Sequence, residues 1–411
     1  MSKSFFHGAK VFVGMSGGVD SSVSAMLLVE QGYDVTGVYM KNWSKDLPGM
    51  KCPWAEDLAD AKRVAVKLGI NFEVWDFEEE YRQKVVEYML DEFKKGNTPN
   101  PDIMCNQEIK FKLFFEKAME RGADFIATGH YARTLALEMP PSGHTQGRSA
   151  KHMVPRRASS SAPVLLRAVD DNKDQTYFLY SISEEALAHT LFPSGGMKKP
   201  EVKRLAEERG LHNAYKKESM GVCFVGEVGM KDFLKEYIEI NPGEIREIES
   251  ERVLGYHEGA IFYTIGQRHG LCLDGEKGVV NDGLPYYVVK KDTKNNIVYV
   301  SKNLNDDNLW INELELKDVI LRTSDLSILG PTCQPVFTGG SFTDGELRRP
   351  GHALELDKSP VLVRLRHRAP LIPATFDGKT IYFDNKIKRP ASGQSAVLYD
   401  GEICLGGGII A

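Results

Sequence analysis

Three short segments carry residue types and spacings suited to chemistry. The first, Val13-Gly-Met-Ser-Gly-Gly-Val-Asp-Ser-Ser22, joins an apolar strand to a stretch of helical periodicity through a glycine pair flanked by hydroxyls. Gly17 and Gly18 allow a sharp turn, and Val19 to Val29 repeats apolar residues as a helix does. The first-turn amides of such a helix lack intrahelical acceptors, and with the helix dipole they favour an anion. Ser16, Ser21 and Ser22 add hydroxyl donors, so the segment reads as a phosphate cradle. No Gly-Lys-Ser/Thr follows, which separates it from the loop that grips β- and γ-phosphates for γ-transfer. The plainer alternative is a serine-capped helix after a glycine turn.

The second segment is Thr98-Pro-Asn-Pro-Asp-Ile-Met-Cys-Asn-Gln-Glu-Ile-Lys-Phe111. Its alternating prolines predict an extended loop, with Asn106 capping the helix that follows. Cys105 then falls near a helix N-terminus, where the dipole lowers a thiol's pKa and leaves the thiolate accessible. Asp102, three residues earlier, is placed to accept a proton or hold a substrate N–H. On residue physics alone, a buried structural cysteine stands slightly ahead of a reactive one. The third segment, Glu218-Ser-Met-Gly-Val-Cys-Phe-Val-Gly226, sets Cys223 between Val222 and Phe224 in a strand-like stretch closed by glycines. That context suits a thiol on a hinge or loop beside a cleft, and alone it is a weak signal.

The elements that must position these segments alternate through the first half of the chain. Strands are expected at 9–15, 34–40, 71–77 and 124–130, and helices at 19–31, 54–68, 78–95 and 107–121. The series implies a mainly parallel α/β sheet. Ligands of such sheets sit beyond the carboxyl ends of the strands at the switch point, where Ser16, Met40 and Gly129 converge. Residues 138–163, rich in Pro, Gly, Ser and Arg, read as a flexible insertion. Helical patterns return at 183–189 and 199–209, and beyond about residue 252 short strands take over, as in a small barrel.

At 411 residues the chain exceeds what one core organises, so two or three domains are expected. A net charge of −5 argues against a protein that coats nucleic acid. Residues 345–390 nevertheless hold ten Lys or Arg against five acids, a local excess able to follow a phosphate backbone or simply to solvate a β domain. The six cysteines, at 52, 105, 223, 272, 333 and 404, form neither a disulfide framework nor Cys-x-x-Cys metal spacing, and no bound metal or iron–sulfur cluster is expected. No apolar run approaches the roughly 20 residues that span a bilayer. The N-terminus reaches the first strand with no room for a signal peptide, so a cytoplasmic location is expected.

The Ser-Gly-Gly-x-Asp-Ser pattern at 16–21 resembles the PP-loop of enzymes that split ATP between its α and β phosphates and hold pyrophosphate as the leaving group. Beside two separated cysteines, such a loop suggests adenylation followed by sulfur chemistry. More specifically, the chain resembles the tRNA-specific 2-thiouridylases, which place sulfur on the wobble uridine (U34). The likeness runs through Gly-Met-Ser-Gly-Gly-Val-Asp-Ser at 14–21, Asn-Pro-Asp-Ile-Met-Cys at 100–105, Ala-Thr-Gly-His-Tyr-Ala-Arg at 127–133, and Lys-Asp-Gln-Thr-Tyr-Phe-Leu at 173–179. It continues through Gly-Val-Cys-Phe-Val-Gly at 221–226, Tyr-Thr-Ile-Gly-Gln-Arg at 263–268, and Ser-Gly-Gln-Ser-Ala-Val at 392–397.

The resemblance implies an N-terminal adenine-nucleotide α-hydrolase-like domain (1–215), a small central domain (216–303) and a C-terminal β-barrel-like, tRNA-contacting domain (304–411). It implies that Gly14, Met15, Ser16, Gly17, Gly18, Val19, Asp20, Ser21, Met40 and Gly129 bind ATP with Mg2+, Asp20 being the candidate ligand for that ion. Asn100, Pro101 and Asp102 would meet the target base; His130, Lys173, Asp174, Gln175, Arg366, His367 and Gln394 would touch tRNA. Cys223 would carry a persulfide received from a sulfur-donor protein, and Cys105 would act as nucleophile, leaving a transient Cys105–Cys223 disulfide. A monomer is expected. Three features depart from the family pattern: His367 stands where Tyr is expected, Met220 where a small Thr is expected, and compact members lack the 138–163 insertion. Gln267 and Arg268 read equally as tRNA contacts or turn residues. Amide-forming PP-loop ligases would need an ammonia source, cluster-dependent thiolases would need paired cysteines, and a vestigial tRNA-binding module would not need an intact loop with two thiols.

Overall fold

A computed structural model of the chain describes residues 7–46, 52–135, 163–216, 230–239, 241–273, 284–322 and 359–411. Cys223, Met220 and residues 138–162 of the expected insertion lie outside these. The chain divides into two compact units. One comprises Met1–Ser44, Cys52–Glu78 and Cys105–Ser219; the other comprises Lys45–Lys51, Glu79–Met104 and Met220–Ala411. Residues 79–104, expected within a 1–215 domain, therefore pack with the C-terminal part of the chain.

The chain opens with β1 (Lys10–Gly14), α1 (Val19–Glu30), β2 (Asp34–Lys41), α2 (Trp54–Leu68) and β3 (Asn71–Asp76). A helical run follows as α3 (Glu78–Tyr81), a π-helical stretch (Arg82–Glu87) and α4 (Tyr88–Lys94). A second run comprises α5 (Pro101–Met104), a π-helical stretch (Cys105–Leu113) and α6 (Phe114–Glu120), with a kink at Phe111. After it come β4 (Phe125–Ala127), the hairpin of β5 (Arg133–Leu135) and β6 (Val164–Leu166), α7 (Glu184–Ala188), β7 (Thr190–Leu191) and α8 (Lys199–Glu208). Strands β3-β2-β1-β4-β7 form one parallel sheet in that order. Val11 and Val13 of β1 are buried, as a strand covered by helices on both faces requires, and they pack with Val23 of α1, Val64 of α2 and Val202 of α8. The order reverses between β1 and β4, which makes the carboxyl ends of those two strands the switch point.

Sequence periodicity located α2 at its observed ends, but the helix carrying Cys105 starts at Pro101 rather than at residue 107. The Asn-Pro pair at 100–101 begins a helix instead of extending a loop, because a proline at the first helical position loses no hydrogen bond and has its φ already set.

The second unit continues with α9 (Met230–Lys235), β8 (Gly243–Glu247), β9 (Val253–His257), β10 (Tyr287–Asp292) and β11 (Ile297–Ser301). These four strands form a sheet in the order β10-β11-β8-β9 around Ile245, Leu254, Val288, Val298 and Val300. Then come β12 (Trp310–Leu321), β13 (Ser359–Arg364), β14 (Ile372–Phe376), β15 (Thr380–Lys388), β16 (Ser395–Asp400) and β17 (Ile403–Ile410). They run β12-β15-β14-β13-β16-β17, and β12 also pairs with β17, so the antiparallel barrel closes. Alternation puts Leu316, Val363, Phe376, Ile381 and Leu398 inside. Leu398→Ala, which removes three buried carbon atoms from that interior, is expected to lower stability by about 2–5 kcal/mol, read as a downward shift of the barrel's unfolding transition in calorimetry.

Candidate active site

The glycine turn after β1 is built by close backbone approaches. Gly17 has φ +76°, and a Cβ there would stand 2.3 Å from the Asp57 carbonyl oxygen in α2. On the other side Gly129, just past β4, comes so near α1 that its Cβ would stand 2.5 Å from the Ser21 amide nitrogen. Only glycine fits either place. Met40 at the end of β2 lies over Gly14, its Cε 2.9 Å from where a Cβ would be. Met15 and Val19 are buried in the core, so a ligand meets them by backbone only. Gly18 is the N-cap of α1 and makes no side-chain cap, leaving the amides of the first turn to an incoming anion.

The serines divide their work differently from the expectation that all three serve as phosphate donors. Ser21 and Ser22 are buried, and their hydroxyls donate to the Gly18 carbonyl at 3.1 and 2.9 Å. They hold the turn. Ser16 is exposed, 3.3 Å from Ser21 Oγ, and remains the hydroxyl facing solvent. Asn213 braces the same turn, donating to the Gly17 carbonyl and to Ser22 Oγ, each at 2.9 Å. Lys216, in the same segment, binds Asp57 at 2.7 Å and Asp60 at 2.5 Å, fixing the start of α2.

Asp20 is held by a buried cation. Lys199, at the start of α8, puts its Nζ 2.7 Å from each carboxylate oxygen, and the Tyr131 hydroxyl donates to Oδ1 at 2.8 Å. The Lys199 amide donates to Asp170, tying the other end of the same residue. A carboxylate so occupied does not fit the expected role of magnesium ligand, and among the described residues no group of three or more His, Cys, Asp or Glu is placed to hold a metal ion. The amides of the turn fit the anionic part of a nucleotide; Asp20 in this arrangement does not fit its divalent ion.

Asn100, not Asn106, caps the helix that leads to Cys105. Its Oδ1 accepts from the Asp102 and Ile103 amides at 3.2 and 3.4 Å. Asn106 lies inside the helix and donates to the Phe178 carbonyl at 3.1 Å. Cys105, one turn into the helix, is 2 % exposed, so the expected accessible thiol is buried in this structure. His130 is also buried, against Phe111, with Nδ1 2.9 Å from Thr128 Oγ1. Burial holds its pKa well below the ordinary 6.5, with the charge of Lys110 adding to the effect.

Three family models match in series: a tRNA methyl transferase HUP domain over residues 9–227, a tRNA methyl transferase PRC-barrel domain over 231–302, and an aminomethyltransferase beta-barrel domain over 352–410. The tRNA-specific 2-thiouridylase MnmA of Listeria innocua is 42% identical over 402 residues, covering 98% of this chain and 94% of that protein. The MnmA of Pseudomonas syringae pv. syringae is 42% identical over 405 residues, with the same shares. This chain belongs to the tRNA-specific 2-thiouridylase family.

Several residues expected to touch tRNA in a 2-thiouridylase lie inside the fold. Asp174 is buried and accepts from Thr176 Oγ1, the Thr176 amide and the Ala168 amide at 2.9, 3.3 and 3.2 Å. A carboxylate committed to three donors shapes its own loop, and the side chains of Asp174 and His130 are both turned into the fold in this arrangement. Gln175 accepts from the Tyr131 amide at 2.9 Å, and so steadies the residue that holds Asp20. Lys173 is partly exposed, and Arg366 is exposed in the turn after β13 beside the half-buried His367. Sequence reading missed Lys199, Tyr131 and Asn213. The lysine-proline pair at 199–200 marks a helix start, but no local signal links residue 199 to residue 20.

Lys199→Met leaves the partly buried Asp20 carboxylate without its cation and is expected to cost about 2 kcal/mol; adding Asp20→Asn should recover part of that loss, as a double-mutant cycle in urea would measure. His130 binds its proton more weakly folded than unfolded, so its contribution to stability is complete above about pH 6.5 and declines as pH falls. In His130→Gln, the part of the stability loss between pH 7 and pH 5 that His130 supplies should disappear.

Proposed function

We propose that this chain is a tRNA-uridine 2-sulfurtransferase that converts the wobble uridine, U34, to 2-thiouridine at the expense of ATP. The observation that carries the reading is the uncapped amide turn at Gly18 to Ser21, in a chain that matches 2-thiouridylases almost end to end. The uridine C2 oxygen is a poor leaving group. Its attack on the α-phosphorus of ATP turns it into AMP, and pyrophosphate leaves into the amides of the α1 turn, where dipole and N–H groups favour its charge. Asn100, Pro101 and Asp102 hold the base, and Lys173, Arg366 and His367 contact the rest of the tRNA.

Sulfur comes from a persulfide on Cys223, loaded by a sulfur-donor protein. Either the terminal sulfur attacks C2, AMP departs, and Cys105 then attacks Cys223 Sγ to free the thiocarbonyl, or Cys105 first attacks Cys223 Sγ and the hydrosulfide so released displaces AMP from C2; both routes leave a Cys105–Cys223 disulfide that a reductant reopens. Disulfide formation needs their Cα atoms within roughly 7 Å. Burial of Cys105 supports a thiol shielded until substrate is present. The protein acts as a monomer.

Unmodified tRNA incubated with the protein, ATP, magnesium and a persulfide donor is expected to yield 2-thiouridine by nucleoside mass spectrometry, with AMP and pyrophosphate formed only when tRNA is present. Cys105→Ser and Cys223→Ser should each lower the rate at least about a thousandfold while binding ATP as tightly as the wild type. Wild-type protein that binds tRNA yet forms no thiouridine would overturn the reading.

A further inference from the structure

Within the second unit, the segment that carries Asn100 and Asp102 is suspended between two other parts of that unit. At its start, Lys291 of β10 donates to the Gly96 carbonyl at 2.8 Å. Gly96 closes α4 with φ +85°, and a Cβ there would stand 2.7 Å from Thr293 Cγ2, so the chain leaves the helix pressed against the end of β10. Further along, Gln394 Nε2 donates to the Thr98 carbonyl at 2.8 Å and to the Pro99 carbonyl at 3.4 Å. The Thr98 amide donates to the Ser392 carbonyl at 2.8 Å, and a Cβ on Gly393 would stand 2.9 Å from Asn97 Cβ and 3.0 Å from the Thr98 nitrogen.

Two prolines lie within this span, at 99 and 101, and neither has an N–H to give. The Gly96 and Asn97 amides close α4 on the Phe93 and Glu92 carbonyls, each at 2.9 Å, and the carbonyls of the span, which makes no strand ladder, are steadied by what reaches them from outside. Three carbonyls of this span, on Gly96, Thr98 and Pro99, are met by side-chain donors from residues nearly 200 and nearly 300 positions away. Asn100 follows directly, capping the helix with its own side chain, so its position and that of Asp102 are set by where those carbonyls are held. Burial lowers the Lys291 amine to about 8, as expected of a lysine withdrawn from water to serve a backbone acceptor.

We propose that Lys291 and Gln394 are positioning residues for the base-holding segment: from the central sheet and the barrel they fix the Gly96, Thr98 and Pro99 carbonyls, and so set Asn100 and Asp102 in place before tRNA arrives. This rests on the assignment of Asn100, Pro101 and Asp102 to the target base. Gln394 then acts first on the protein's own backbone, and its effect on tRNA passes through the segment it holds.

The test uses the full chain with Lys291→Met, Lys291→Arg and Gln394→Met. Hydrogen exchange of the amides at 97–103 is followed in the tRNA-free protein, and thiolation kinetics are measured separately. Expected in Lys291→Met and Gln394→Met are faster exchange confined to those amides and to residue 105, and a kcat lower by about tenfold, with tRNA affinity within about twofold of wild type. Lys291→Arg, which keeps a donor, should recover most of both. Unchanged exchange in both methionine variants overturns the proposal, as does faster exchange with unaltered kcat. A rise in tRNA Kd with unchanged exchange in Gln394→Met would make that residue a direct RNA contact instead. If the wild type makes no thiouridine, the base-holding assignment fails, and the exchange data still decide whether the two side chains secure the segment.

Discussion

A lysine nitrogen withdrawn from water needs a counter-charge, and Lys199 finds it in Asp20. That pair decides where α1 begins. The turn before α1 has no side-chain cap and contains a glycine in the left-handed region, so the local bonds of Ser21 and Ser22 to the Gly18 carbonyl do not by themselves hold it in one conformation. It is held from elsewhere: by Asp20 through Lys199 and Tyr131, by the Gly17 carbonyl through Asn213, and by the close passage of Gly129 behind Ser21. The serine hydroxyls close the remaining gaps. What is left pointing outward is backbone N–H and the Ser16 hydroxyl, donors already set for an anion.

Sequence reading succeeded where the determinants are local. Glycine and serine types at 14–22 define a strand, turn and helix within ten residues, and the apolar period of 54–68 followed by Gly69 defines a helix and its end. A small barrel was legible from its short strands, but which strands seal it was not, because β12 meets β17 across most of the C-terminal part of the chain. Burial of side chains with chemistry was the least legible property. Cys105, His130 and Asp174 sit in polar or helix-start contexts that suggest access, yet all three are buried: His130 packs against Phe111, and Asp174 turns inward onto the Ala168 and Thr176 donors of its own loop. The Asn-Pro start at 100–101 was misread because a proline is compatible with both an extended loop and a first helical turn, and only the capping bonds of Asn100 distinguish them.

The division of labour along the chain follows from these contacts. The nucleotide cradle is made entirely within the first unit, from residues 14–22, 40, 57, 129, 131, 199 and 213. The segment at 96–102, proposed to hold the base, belongs by its contacts to the second unit, although by number it falls inside the first family model. Cys105 follows it immediately in the chain, so one continuous helix carries both the residues assigned to the base and the thiol assigned to the sulfur.

Closure of the barrel through β12 and β17 has a kinetic consequence for how the protein is made. As β12 emerges from a ribosome it already has one long edge requiring a partner, and that partner is the last of the barrel strands to be synthesised. Until β17 exists, the inward face that carries Leu314 and Leu316 is open and its edge is unpaired, the condition under which strands add to one another between chains. The exposed face of β12 bears Glu313, Glu315, Lys317 and Asp318, charges of both signs on the side that would otherwise template such pairing. The same strand that seals the finished barrel thus carries its own protection during the interval before it can be sealed.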